Sequence, residues 1–179
     1  IIQKKKKSVI NKKYVLKFGE NTIFNTIEGV KKLREYYKDA TTLKNMNFKV
    51  KVGNVVWNQV KDKLTEDESK TRLVYSSDII DNELGIKQYK NPEKKNFIDQ
   101  KGSTDLLLVV NRGYGKGKYK FSYCLIDTEK EYLVENHLIC IKSLSSMQPW
   151  MVVSCKALNI IPKEMERNLL LEQYNLIIN

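Results

Sequence analysis

Apolar positions along this chain change their spacing twice, and the changes mark out its elements. After a lysine run and a short apolar segment around Tyr14 to Phe18, NTIFNTIEGVKKLREYYKD places Ile23, Ile27, Val30, Leu33 and Tyr37 at helical spacing. That spacing predicts one helix with a single apolar face, capped by Asn21 or Thr22, whose side-chain oxygens suit the first unpaired N–H groups. From Asn47 the period drops to two: NFKVKVGNVVW alternates Phe48, Val50 and Val52 with Lys49 and Lys51, the pattern of a half-buried strand. Gly53 interrupts it, as a bulge or a close approach of another backbone would require.

The charged NQVKDKLTEDESKT separates this strand from a second one in RLVYSSDI, and DNELGIKQYKNPEKKNFIDQKGST reads as largely loop. DLLLVV is a short continuous apolar run, which predicts a strand covered on both faces. In YKFSYCLID, Tyr119, Phe121, Tyr123 and Leu125 alternate with Lys120 and Ser122; EYLVENHLICIK is a further strand candidate with a turn at Glu135–Asn136. Toward the end, PKEMERNLLLEQYNLI has proline at a helix start and Met165, Leu169, Leu170 and Tyr174 on one side. The prediction is an α+β fold, a mixed and mainly antiparallel sheet with flanking N-terminal and C-terminal helices. Residues 1–179 are expected to form one domain, with 1–13 as a basic arm or linker and 143–179 as a C-terminal helical extension.

Composition narrows the function classes. With 179 residues, 41% of them hydrophobic, the chain can bury about 70% of its unfolded surface and needs no staples. No apolar run reaches the ~18–20 residues of a membrane span, and IIQKKKK lacks the apolar core of a signal peptide. Cys124, Cys140 and Cys155 are widely spaced, without a CxxC pair; Cys124 and Cys140 lie in apolar runs where a free thiol acts as a small hydrophobe. A reducing, intracellular setting follows. The net charge of +11 points to a polyanion, either nucleic acid or an anionic membrane surface.

The candidate chemistry centres on NRGYGKGK. Gly113, Gly115 and Gly117 resemble a phosphate-cradling loop, but such loops stand before a helix N-terminus, and here a period-two segment follows. The connection is longer than a tight hairpin and carries Arg112, Lys116 and Lys118 with no acid among them, and Lys120 follows in the next segment. A DNA-contact loop is the reading preferred over a bare hairpin: lysines for phosphates, Arg112 bidentate to guanine, Tyr114 to stack or wedge. In GNVVWNQVKDKLT, Asn58 and Gln59 are candidate adenine readers, with Lys61 and Lys63 beside them; a polar strand end entering a loop explains the same residues. Trp57 is expected in the core. Asp105, Asp127, Glu129 and Glu131 suggest a metal nuclease only faintly, and His137 reads as a satisfied strand histidine without a second metal ligand.

Three blocks together resemble the target-recognition region of restriction–modification type adenine-specific DNA methyltransferases, over roughly residues 40 to 142. The first holds Gly53, Val55, Val56, Trp57, Asn58, Lys61 and Leu64, and the second Val74, Tyr75, Ser76 and Ile79. The third runs through Val110, Asn111, Arg112, Gly113, Tyr114, Gly115 and Tyr119 to Glu135, Asn136, His137 and Leu138. The resemblance implies a module that reads duplex DNA beside an attached or separate methyltransferase domain. In that family the catalytic domain binds S-adenosylmethionine through an aromatic-x-Gly-x-Gly turn and holds the flipped adenine against an Asn/Asp-Pro-Pro-aromatic motif. Neither motif is in this sequence: KNPEKKNF has Glu93 and Lys94 where that motif has its second proline and aromatic. No cofactor is therefore expected here, and S-adenosylmethionine only where a catalytic domain is attached. The first residue is Ile rather than Met, which fits a piece of a longer polypeptide, and beyond Lys142 the chain departs from the family pattern. The alternative is a sequence-nonspecific nucleic-acid-binding or genome-packaging protein.

Overall fold

The computed structural model describes residues 12–112, 122–144 and 162–178. Sequence reading treats the chain as one domain; its contacts fall into two compact units, Ile1–Met46 and Asn47–Asn179.

In the first unit a 3-10 turn, Lys12–Tyr14, leads into β1 (Val15–Phe18), β2 (Asn21–Phe24) and helix α1 (Ile27–Tyr36). Gly19 takes φ of +56°, the left-handed backbone that glycine adopts most readily, and lets β1 reverse into β2 with Val15 opposite Phe24. Ile23 is therefore a strand residue, not part of the helix. The cap is Thr26, not Asn21 or Thr22: its hydroxyl accepts from the Gly29 N–H at 3.1 Å. The spacing from Ile23 to Ile27 imitates a helical turn across a strand–helix junction. Val30 is fully buried, and Phe18 stacks on Tyr37 at 4.4 Å.

The second unit holds β3 (Phe48–Val52), 3-10 turns at Trp57–Gln59 and Lys61–Lys63, β4 (Leu64–Thr65) and β5 (Thr71–Val74). There follow β6 (Ile79–Ile80), β7 (Glu83–Leu84), β8 (Phe97–Ile98), β9 (Leu107–Asn111), β10 (Tyr123–Ile126), β11 (Tyr132–Val134), β12 (Leu138–Ser143) and helix α2 (Pro162–Ile178). One sheet runs β10-β9-β12-β3, antiparallel throughout; the other runs β11-β5-β8-β4, with β11 parallel to β5. This is the α+β class, mainly antiparallel, with helices near both ends of the chain. The segment read as loop contains β8 and the β6–β7 hairpin, whose Asp81 and Asn82 both have positive φ, 50° and 65°. Those angles belong to the two-residue turn that matches strand twist, and Asn and Asp tolerate them.

A core cluster joins the two sheets: Val74, Tyr132 and Val134 from one, Leu107, Val109, Cys124, Ile126, Leu138 and Cys140 from the other. Burial raises the Cys124 and Cys140 thiols to about 11, as the role of small hydrophobes requires. Cys155 lies outside the described residues. In β10 the more buried face is Cys124 and Ile126, not Tyr123 and Leu125, because Cys124 and Ile126 join the core cluster between the sheets. β3 departs further from the expected half-buried strand. Phe48 is buried beneath Tyr174 of α2, at 5.5 Å between rings, but Val50 and Val52 stay 49% and 46% exposed on this edge strand. Tyr174 fixes α2 by donating to the Leu106 carbonyl (3.1 Å) and accepting from the Ser143 N–H (2.9 Å). Among the described residues no helix is long and apolar enough to cross a membrane.

Candidate nucleic-acid interface

Gly53 is where the site begins. A Cβ there would lie 2.2 Å from the Glu135 carbonyl oxygen and 2.6 Å from that of Val134, so only glycine admits the neighbouring backbone. The close approach is used for hydrogen bonding. Gly53 N–H donates to Leu138 O (2.9 Å), Val55 N–H to Val134 O (3.2 Å), Asn136 N–H to Val55 O (2.8 Å) and Glu135 N–H to Val74 O (2.9 Å). The Glu135–His137 segment, which links β11 of one sheet to β12 of the other, is thus gripped by the first block and by the end of β5. The third block closes the arrangement: Asn111 pairs with Leu138, Arg112 N–H donates to His137 O (3.3 Å), and Arg112 Nη1 donates to Asn136 O (3.0 Å). Stretches far apart in sequence meet around one turn.

Glu135 is 2% exposed, yet it is a carboxylate. Its oxygens accept from the His137 N–H (2.9 Å) and pair with His137 Nδ1 (2.5 Å). His137 is satisfied, as expected of a lone histidine, but it sits in the turn with its ring about half-exposed rather than within a strand. The turn falls at Asn136 and His137, one residue later than the sequence suggests.

Asn58 and Gln59 stand exposed in the 3-10 turn after Val55, not at a strand end, because β3 stops at Val52 and Val55 makes only a single bridge to Glu135. Trp57 anchors this turn, half-buried against Val55, Leu73, Tyr75 and Ile98. Lys61 and Lys63 are exposed in the next turn; the Lys61 ammonium lies 2.6 Å from Glu93 and 5.8 Å from the Trp57 ring centre. An exposed pair of this kind contributes about 0–1 kcal/mol, so a phosphate can compete for that lysine. Asn111 Oδ1 and N–H bond the Ser122 N–H and carbonyl, both at 2.9 Å. Tyr114, Lys116, Lys118 and Lys120 lie outside the described residues, as do Gly113, Gly115 and Gly117.

The acids of the nuclease reading are dispersed. Asp105 pairs with Lys142 (2.5 Å), which holds its carboxyl below the usual range. Asp127 pairs with Arg167, and Glu131 accepts from Gly102 N–H (2.8 Å) and the Thr71 hydroxyl (3.3 Å). Among the described residues no group of three His, Cys, Asp or Glu side chains could hold a metal ion. The Asn91 amide oxygen accepts from its own turn, at Glu93 N–H (3.0 Å), rather than presenting itself to a base. Among the described residues, KNPEKKNF therefore does not offer the amide geometry that holds a flipped adenine.

Sequence reasoning placed Glu135 at a turn and in the family pattern but gave it no role, and it missed Asp78. Asp78 is fully buried, accepting from Tyr75 N–H (3.0 Å) and the Tyr89 hydroxyl (2.7 Å), with Arg72 at 3.9 Å. Lys94 stands 4.0 Å from both the Tyr75 and Tyr89 ring centres. Burial lowers its pKa, opposed by the charges of Glu135 and Asp78. Beside it opens a cleft of about 350 Å³ lined in part by Tyr89, Asn91, Lys94 and Phe97. The one available signal was an acid just past a strand end in YSSD. The chain matches no family model, no curated protein and no solved structure.

Proposed function

We propose that this chain is a DNA-reading module, of the kind that gives an adenine-specific DNA methyltransferase its target sequence. The observation that supports it is the meeting of Gly53–Val55, Val74, Arg112 and Asn136–His137 around one turn in a chain of net charge +11. In this reading Lys61 and Lys63 neutralise phosphates, with Lys116, Lys118 and Lys120 adding to them. Asn58, Gln59, Arg112 and Tyr114 meet the bases. Methyl transfer, with S-adenosylmethionine, belongs to an attached or separate catalytic domain, and the module works inside the cell wherever that DNA is. Gripping the duplex there would help hold it while the target base is extruded into the other domain.

Titration of labelled duplexes by fluorescence anisotropy over a range of salt tests this. The chain binds duplex DNA, and log K falls with log salt by roughly 0.9 per phosphate neutralised. Lys63→Ala lowers that slope by about 1 and weakens all sequences alike. Arg112→Ala costs about 1–3 kcal/mol on the preferred duplex and little on others. Absence of salt-dependent binding contradicts the reading. A steep slope with no preference among sequences marks the nonspecific binder instead.

A further inference from the structure

We infer that Glu135 is a positioning residue that aims Arg112 at a guanine edge in duplex DNA, an inference that rests on the DNA-reading function proposed above. A carboxyl group 2% exposed needs hydrogen-bond partners, and the Glu135 side chain finds them in His137, at the main-chain N–H and at Nδ1. Bonding one residue at two atoms fixes the peptides between them, and so the direction of the Asn136 carbonyl. That carbonyl receives Arg112 Nη1 at 3.0 Å, while the neighbouring His137 carbonyl receives the Arg112 N–H at 3.3 Å. Val55, accepting from Asn136 N–H at 2.8 Å, keeps the turn from swinging away. Backbone and guanidinium of Arg112 are thus both referred to a turn whose shape Glu135 sets. With Nη1 directed at Asn136, the Nε and Nη2 edge keeps the geometry for guanine O6 and N7. An arginine oriented before binding loses less freedom on contact, which sharpens discrimination rather than general affinity. Glu135→Gln preserves size but turns one charged acceptor into a donor, so the pair of bonds to His137 cannot persist unchanged.

The test compares the wild-type chain with Glu135→Gln, Arg112→Lys and the double variant, on the duplex the wild type selects from a random pool and on a scrambled one. The wild type prefers the selected duplex by roughly a thousandfold or more. Each single variant cuts that ratio by about tenfold or more, and the double variant falls little below Arg112→Lys alone, because both act through one contact. In Glu135→Gln, affinity for scrambled duplex and the salt slope stay at wild-type values, which a general loss of structure would not allow. A wild-type ratio in Glu135→Gln, or a double variant equal to the product of the singles, overturns the inference. Should Glu135→Gln fail to melt cooperatively, His137→Ala takes away the Nδ1 partner of Glu135, keeps the main-chain N–H bond, and is read the same way. A wild type without sequence preference overturns the DNA-reading function itself and this inference with it; a selective wild type with additive variants overturns only the role of Glu135.

Discussion

Gly53→Ala lowers the stability of the 47–179 unit by about 3 kcal/mol, the upper end of what overpacking costs. The added Cβ would meet main-chain oxygens, 2.2 Å from Glu135 O and 2.6 Å from Val134 O, and main chain cannot rotate aside as a long side chain would. Nor can the turn retreat alone. Glu135 N–H is bonded to Val74, Asn136 N–H to Val55 and Arg112 to Asn136 and His137, so a shift at Glu135 disturbs both sheets and the arginine together. Urea unfolding followed by tryptophan fluorescence measures this: with slopes of about 1–3 kcal/mol per molar, the midpoint drops by roughly 1 M or more. An unchanged midpoint would mean that the Glu135 main chain does not lie against Gly53. Because the substitution acts through the turn that carries Arg112, it also weakens preferred-duplex binding well before the unit unfolds.

Asp78→Ala has the second large effect, about 3–5 kcal/mol. The carboxylate is fully buried, and its removal takes the side-chain acceptor from the Tyr75 N–H and leaves the Tyr89 hydroxyl with Ser77 (3.1 Å) in place of its charged acceptor. It also strips the counter-charge from Arg72, whose side chain is only 18% exposed, and removes one of the two acids, Glu135 and Asp78, whose charges favour the Lys94 ammonium. Asp78→Asn keeps an acceptor of the same shape and loses less, about 1–3 kcal/mol. The order wild type, Asn, Ala in the unfolding midpoint is the expected result; equal effects of Asn and Ala would show that charge alone matters there.

These two positions differ in how far sequence reveals them. Gly53 was legible because it broke a period-two run, and the close approach expected there is what the Val134–Glu135 backbone makes. The covered strand in DLLLVV, the proline-started helix at Pro162 and the buried free thiols were legible for the same reason: local pattern and burial coincide. Ile23 misled because four residues across a strand–helix junction imitate one helical turn. Val50 and Val52 misled because alternation tells which side chains share a face but not whether anything covers it. The β6–β7 hairpin escaped through its polar surroundings, although Asp81–Asn82 is a usable turn signal. Asp78 and Glu135 were hidden more deeply. A buried carboxylate is justified by partners such as Tyr89, and by a turn that Val55 and Val74 hold through main-chain bonds, that only tertiary structure assembles. Of the candidate site, Asn58, Gln59, Lys61, Lys63 and Arg112 could be named from residue chemistry and the turn placed to within one residue, but that this turn holds Arg112 could not be read.

The central claim is that the surface around Arg112 reads sequence in duplex DNA. Selection of the wild-type chain against a pool of random duplexes, with Arg112→Ala carried in parallel, tests it most directly. A short enriched motif containing a guanine whose identity ceases to matter in Arg112→Ala is the predicted result; a pool that stays random through successive rounds contradicts the account.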